Sequence, residues 1–210
     1  MAKHTHKPKP KPKPKPKAKA KAAGGKHPPA PPPDGICILG SNPKNVDDAP
    51  FKSNWLIYTC SPHNIELRTL PSFDEWFEVH NPIQHESRSY RYLRGLEDLT
   101  ADKIVWMRDK DNMGCFKGGQ AYPEAELKEI FCPFMFTSTI SFIMAKAIVD
   151  CKKLKIKKIG IWGVMQASPD EYAYQRPGIQ YFIWEAFKNW GIEVVAPEES
   201  KLFDLPKEIF

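Results

Sequence analysis

The chain is 210 residues long, with 31 lysines and arginines against 25 acidic residues and a formal net charge of +6; at about 100–200 residues per domain this suits one domain with additions. No run approaches the roughly 18–20 apolar residues of a membrane span, and the N-terminus lacks the apolar stretch of a secretory signal. The five cysteines, Cys37, Cys60, Cys115, Cys132 and Cys151, form neither a CxxC nor an even framework, so the chain reads as a cytoplasmic protein with reduced thiols, not a disulfide scaffold.

The additions come first. Residues 1–33 hold ten lysines and no acid: Lys and Pro alternate from Lys7 to Lys17, Lys-Ala steps follow to Lys21, and a proline run ends at Pro33. Proline at every second position removes helix and ladder hydrogen bonds, and lysine repulsion extends what is left toward a solvated polyproline-like coil. The segment is expected to be a disordered tether, and a block of exposed lysines can also hold nucleic acid in a salt-sensitive way. The body, residues 34–210, then has 21 basic and 25 acidic side chains, a charge of about −4. A fold that binds nucleic acid should carry a basic face, and none is evident in the body.

Gly35-Ile36-Cys37-Ile38-Leu39-Gly40 is short, β-branched and stopped by glycine, which predicts a strand buried on both faces. It passes into the turn-forming Ser41-Asn42-Pro43-Lys44-Asn45, and Trp55–Cys60 predicts a second strand. Glu75–His80 reads as a third and Lys103–Met107 as a fourth, while the charged, glycine-containing stretch 109–120 predicts a loop. Pro123–Glu129 places proline and acids where a short helix starts. Thr137-Ser138-Thr139 precedes Ile140, Phe142, Ile143, Met144, Ala147 and Ile148, the apolar face of a helix of about four turns. Lys157–Val164 predicts a buried strand, Glu171–Trp190 a helix closed by Gly191, and Ile192–Pro197 a last strand. The alternation predicts one α/β domain, Rossmann-like, a mostly parallel sheet with helices on both faces.

In such sheets ligands bind beyond the carboxyl ends of the strands. Gly40, Ser41, Asn42 and Pro43 follow the first strand, where small residues permit close backbone approach and amides could cradle a phosphate; a plain tight turn explains them as well. Asn64 follows the second strand. His80 follows the third and is either a general base or a structural donor. Thr137, Ser138 and Thr139 stand where a helix begins, as N-cap, anion site or both. Gly163, Glu171, Tyr172, Tyr174, Gln175 and Arg176 gather polar and aromatic groups after a later strand, with Arg176 suited to a phosphate or carboxylate. The histidines and cysteines lack metal-ligand spacing, so no metal is expected.

The order Ile-Leu-Gly-Ser-Asn-Pro at 38–43, Phe-Thr-Ser-Thr-Ile-Ser-Phe at 136–142, Ile-Gly-Ile-Trp-Gly-Val at 159–164, Glu171-Tyr172, Gly-Ile-Glu-Val at 191–194 and Ser-Lys-Leu at 200–202 resembles the Rossmann-like group of bacterial sialyltransferases and archaeal-type hydroxymethylpterin pyrophosphokinase relatives. Uncharacterised bacteriophage proteins of similar length share it, which would make the cytoplasm that of a host cell. The resemblance implies that Gly40, Ser41, Asn42 and Asn64 hold the nucleotide of a CMP-sugar, with Thr137 and Ser138 beside them. Two positions depart from the pattern. Gly163-Val164-Met165 stands where Gly-Ile/Val-Asp is common, and the segment that carries the base histidine is here Tyr172–Arg176, without histidine. Tyr174 or a histidine from elsewhere, such as His80, would have to replace it, or the reaction differs or is absent.

The expected function is therefore binding of a nucleotide or nucleotide-sugar, with glycosyl or phosphoryl transfer as the candidate reaction. The alternative is a non-catalytic, phage-encoded nucleotide-binding or interaction protein whose tail contacts nucleic acid. A third is an interaction protein in which Tyr172, Tyr174, Tyr181 and Trp184 serve packing or a partner surface; at helical spacing such aromatics are more often core.

Overall fold

The computed structural model describes residues 31–60, 72–79, 97–98, 100–108, 116–165 and 174–203. Strands β1 (Gly35–Leu39), β2 (Trp55–Cys60), β3 (Glu75–Glu78), β4 (Ile104–Met107), β5 (Gly119–Ala121), β6 (Lys158–Trp162) and β7 (Glu193–Val195) form one sheet in the order β5-β4-β3-β2-β1-β6-β7. Every neighbouring pair is parallel. Helices α1 (Glu124–Ile130), α2 (Thr139–Leu154) and α3 (Arg176–Trp190) complete the α/β fold that the sequence predicts.

Residue alternation in β1 divides the core. Ile36 and Ile38 point to one face and Cys37 and Leu39 to the other, all without exposed surface, as a strand buried on both sides requires. On the first face Ile36, Ile38, Tyr58, Phe77, Ile159 and Ile161 pack with Leu127 of α1, Ile143 and Ile148 of α2, and Ile179 and Phe182 of α3. On the second, Cys37, Leu39, Ile57, Trp76, Val105 and Met107 pack against Ala49, Phe73 and Phe116 from the connecting segments. The three helices thus share the first face. Each fully buried aliphatic or phenyl side chain contributes about 1.5–3 kcal/mol, and α2, buried from Ile140 to Ile148, is the helix most deeply held.

The ends of α2 follow from local chemistry. Ser138 is extended, its Oγ accepts from the Ser141 amide at 3.2 Å, and the Ser141 Oγ accepts in turn from the Ser138 amide at 2.9 Å, a reciprocal cap that satisfies two orphan donors. At the other end Lys155 takes the left-handed conformation, φ 59°.

Several boundaries differ from the sequence reading. The third strand stops at Glu78. At the end of the stretch expected as a loop, Gly119–Ala121 forms β5, a three-residue edge strand too short for any periodicity to reveal. The last helix starts at Arg176, and Tyr174 and Gln175 form a turn before it. Pro177 is the reason: it has no N–H and is tolerated in the first helical turn but not six residues inside. Gly191 closes α3 with φ 60° as expected, and its N–H donates to the Ala186 carbonyl. The aromatics of this region are less buried than helical spacing suggests, with Tyr174 81%, Trp184 54% and Phe187 71% exposed.

Candidate ligand site at the carboxyl edge of the sheet

The strand order places β1 between β2 and β6, so the chain leaves β1 in one direction across the sheet and leaves β6 in the other. The crevice beyond the carboxyl ends of such a pair is the usual ligand position in open parallel sheets. Here the segments leaving the two strands are tied together. The Gly40 amide donates to the Trp162 carbonyl and the Asn42 amide to the Gly163 carbonyl, both at 2.8 Å. Across the junction the Gly163 amide donates at 2.8 Å to Oδ1 of Asn45, a side chain with 2% exposure. The Asn45 amide nitrogen reaches the Met165 sulfur at 3.7 Å.

Two glycines make this junction possible. A Cβ on Gly40 would stand 2.4 Å from the Gly163 carbonyl oxygen, one on Gly163 would stand 2.6 Å from the Gly40 carbonyl oxygen, and Gly163 has φ +65°. Gly40 is closely approached by backbone, and the partner is the protein's own β6 segment. Two of the amides that could have cradled a phosphate, those of Gly40 and Asn42, are engaged there. Asn42 Oδ1 accepts from the Lys44 amide at 3.0 Å, which shapes the turn locally. Ser41 and Pro43 are exposed at its tip.

The starts of α2 and α3 lie together at the same edge, because each helix leads from the carboxyl side of one strand to the amino side of the next. Thr137 Oγ1 donates to the Gln175 carbonyl at 3.0 Å. Gly178 is packed so closely that a Cβ there would meet Thr137 Oγ1 at 2.2 Å. Ser138 serves as the N-cap of α2, Thr139 is its first residue, and Gln175 precedes α3 without a side-chain cap. Arg176 is half-buried at the first position of α3, and Tyr174 is exposed beside it. A C-terminal segment closes the group: Ser200 Oγ donates to the Val164 carbonyl at 3.0 Å, and the Gln180 side chain donates to the Leu202 carbonyl at 2.9 Å. Gly40, Ser41, Asn42, Pro43 and Gly163 are thus brought into one junction, and Thr137, Ser138, Thr139, Gln175 and Arg176 into another. Asn64, His80, Glu171 and Tyr172 lie outside the described residues.

Sequence reasoning did not single out Asn45 or Ser200, because nothing local marks a turn asparagine as the acceptor for an amide 118 positions away. It also missed a polar cluster inside the helical face. Tyr58 donates to Asp150 at 2.9 Å, Lys146 pairs with Asp150, Lys146 stands 3.9 Å from Glu75, and the Trp106 indole N–H donates to Glu75 at 2.5 Å. Lys146 also sits over the Trp106 ring at 4.5 Å. Burial raises the Tyr58 phenol far above its ordinary value, with the Glu75 and Asp150 charges adding to the effect. Burial likewise raises the Glu75 carboxyl, against the opposing pull of the Lys146 charge and the Trp106 hydrogen bond.

Gly163→Ala is expected to lose more stability than Gly191→Ala in denaturant titrations. Both positions have positive φ, which costs a non-glycine residue roughly 1–2 kcal/mol, but nothing lies within 4 Å of a Cβ at Gly191. Equal losses would show that the Gly40 contact yields freely. The fold raises the Glu75 carboxyl above its unfolded value of 4.5, so its contribution is most favourable below that value. It declines as pH rises through the higher folded value. Stability measured against pH should show that decline in the wild type and not in Glu75→Gln, which keeps an acceptor for Trp106.

No family model matches the chain, and comparison with curated proteins and with solved structures likewise found no match.

Proposed function

We propose that the protein binds a nucleotide or nucleotide-sugar at the carboxyl edge of its sheet, over the junction of β1 and β6. The observation that carries this reading is the position of β1 between β2 and β6, because the chain departs from β1 and β6 in opposite directions and phosphate-bearing ligands bind over such switch points in open parallel sheets. The exposed tip Ser41–Pro43 lies at this edge, as do the paired starts of α2 and α3, whose N-terminal ends favour negative charge. The hydroxyls and amides of Ser41, Asn42, Thr137 and Gln175, with the Arg176 cation, are groups that hold and orient a ligand. Glycosyl or phosphoryl transfer is the reaction a bound nucleotide donor would serve, and its proton-transferring group would come from His80 or Tyr174.

A second reading concerns the tail, since ten lysines without an acid in residues 1–33 favour contact with nucleic acid. Replacing those lysines by glutamine in the full chain should abolish salt-sensitive retention on DNA. Retention that is unchanged would remove the tail from this role.

The ligand reading is tested by thermal denaturation with CMP, UMP, CMP- and UDP-sugars and pterins. A ligand at 100 times its dissociation constant should stabilise the fold by about 2.7 kcal/mol. That gain is expected to shrink in Ser41→Tyr, which would place a ring over the junction, and in Asn42→Ala. No gain with any of these compounds, or a gain untouched by both substitutions, would overturn the proposal.

A further inference from the structure

The basic residues of the body are unevenly placed, which corrects the expectation that it carries no basic face. Lys152, Lys153, Lys155, Lys157 and Lys158 fall within seven residues, where α2 ends and β6 begins. This is the amino edge of the sheet, opposite the junction of β1 and β6. A cavity of about 460 Å³ opens there, lined by Lys152, Lys155 and Lys157 together with Asn189, Trp190 and Ile192.

Lysines in the last turn of a helix complement its dipole, and that explanation covers Lys152 and Lys153. It extends to Lys155, the C-cap residue, and does not cover Lys157, which lies past the helix end. Lys158 is paired with Glu193 at 3.0 Å, and Lys152 sits over the Trp190 ring at 5.1 Å. Lys155 and Lys157 are both exposed, and neither has an ion-pair partner among the described residues. The left-handed backbone at Lys155, φ 59°, is a conformation that glycine or asparagine would take with less strain, yet a cation stands there.

The remaining walls combine apolar residues with the Asn189 amide. Trp190 is packed against Phe131 with ring centroids 5.7 Å apart, and Ile192 is 2% exposed. The Asn189 side chain is oriented by its hydrogen bond to Glu185 at 2.8 Å. Cys151 also lines the cavity, but burial, aided by the neighbouring Asp150 charge, pushes its thiol up to about 12. It stays protonated at neutral pH and offers no nucleophile, so the chemistry of the cavity is binding. Its volume falls within the range of small-ligand pockets, roughly 300–1,000 Å³.

We propose that this cavity binds a nucleotide-sized phosphate ester, with the phosphate between Lys155 and Lys157 and the base or other apolar part against Trp190. The proposal is independent of the reading of the carboxyl edge. The phosphate ester could be a free nucleotide or an end of a nucleic-acid strand, and the test separates the two.

Calorimetric titration of the full chain with AMP, adenosine, inorganic phosphate and a short single-stranded oligonucleotide reads the site directly. AMP is expected to bind more tightly than adenosine or phosphate alone, and its affinity should fall at least tenfold in Lys155→Asn/Lys157→Gln. Asparagine suits the left-handed position, so this variant should keep its melting temperature. Asn42→Ala should leave AMP binding at this cavity unchanged. The lysine tail is present in both proteins, so the difference between them reports the cavity. An oligonucleotide that binds more tightly than AMP and loses affinity by the same factor would identify nucleic acid as the source of the phosphate; loss for AMP alone would identify a free nucleotide. The proposal is overturned if no phosphate-bearing probe binds, or if the double variant binds AMP and the oligonucleotide as the wild type does. AMP binding that is lost in Asn42→Ala and kept in the double variant would overturn this proposal while supporting the carboxyl-edge site.

Discussion

The contact between the Gly40 and Gly163 backbones is the constraint on which the architecture rests. β1 is an interior strand, and everything from β2 to β5 extends from one of its sides while β6 and β7 extend from the other. The two departing segments can be sealed against each other only if neither residue carries a Cβ and if Gly163 accepts a positive φ. Asn45 then supplies the acceptor for the Gly163 amide inside the seal, where an unmade hydrogen bond would cost about 1–3 kcal/mol. Geometry and hydrogen bonding at this point are one requirement: the approach that excludes side chains also excludes water.

α2 translates that central seal into a core. It lies on the path from β5 at one edge to β6 on the far side of β1, and its buried face meets residues of β1, β2, β3 and β6. Lys146 and Asp150 lie on that helix and are nearly sealed from solvent. A buried charge is tolerated only with partners, and removing one partner of such a set commonly costs about 3–5 kcal/mol. Tyr58, Glu75 and Trp106 come from three adjacent strands, so the cluster ties the helix to one angular position over the sheet as well as neutralising it. Leucine packing alone would permit more sliding.

Much of the fold was legible because its signals are local. Six apolar runs and two amphipathic periods marked six of the strands and the two long helices, and the Thr-Ser-Thr triplet and Gly191 marked helix ends through capping chemistry. β5 was not legible because Gly119-Gln120-Ala121 has no pattern of its own and becomes a strand only through pairing with β4. The start of α3 was misplaced because apolar periodicity continued upstream of Pro177, where backbone chemistry forbids the helix. At the candidate site, residue types such as Gly40 and Gly163 could be noticed separately, but that each is the other's neighbour depends on strand order. The lysines between 152 and 158 were in plain view. Their clustering was obscured by averaging charge over the whole body, a sum that hides any local concentration.

The lengths of the outermost strands have a further consequence. β5 and β7 are each three residues long, and the Glu193 carboxylate on β7 is engaged by Lys158. A parallel sheet with long, bare margins offers a template on which other chains can add strands. Margins this brief, one of them carrying an ion pair, give an incoming strand little to align with, so the hydrogen-bonded surface of the sheet ends within the protein and resists fibrous growth even where exposed aromatics such as Phe187 invite association.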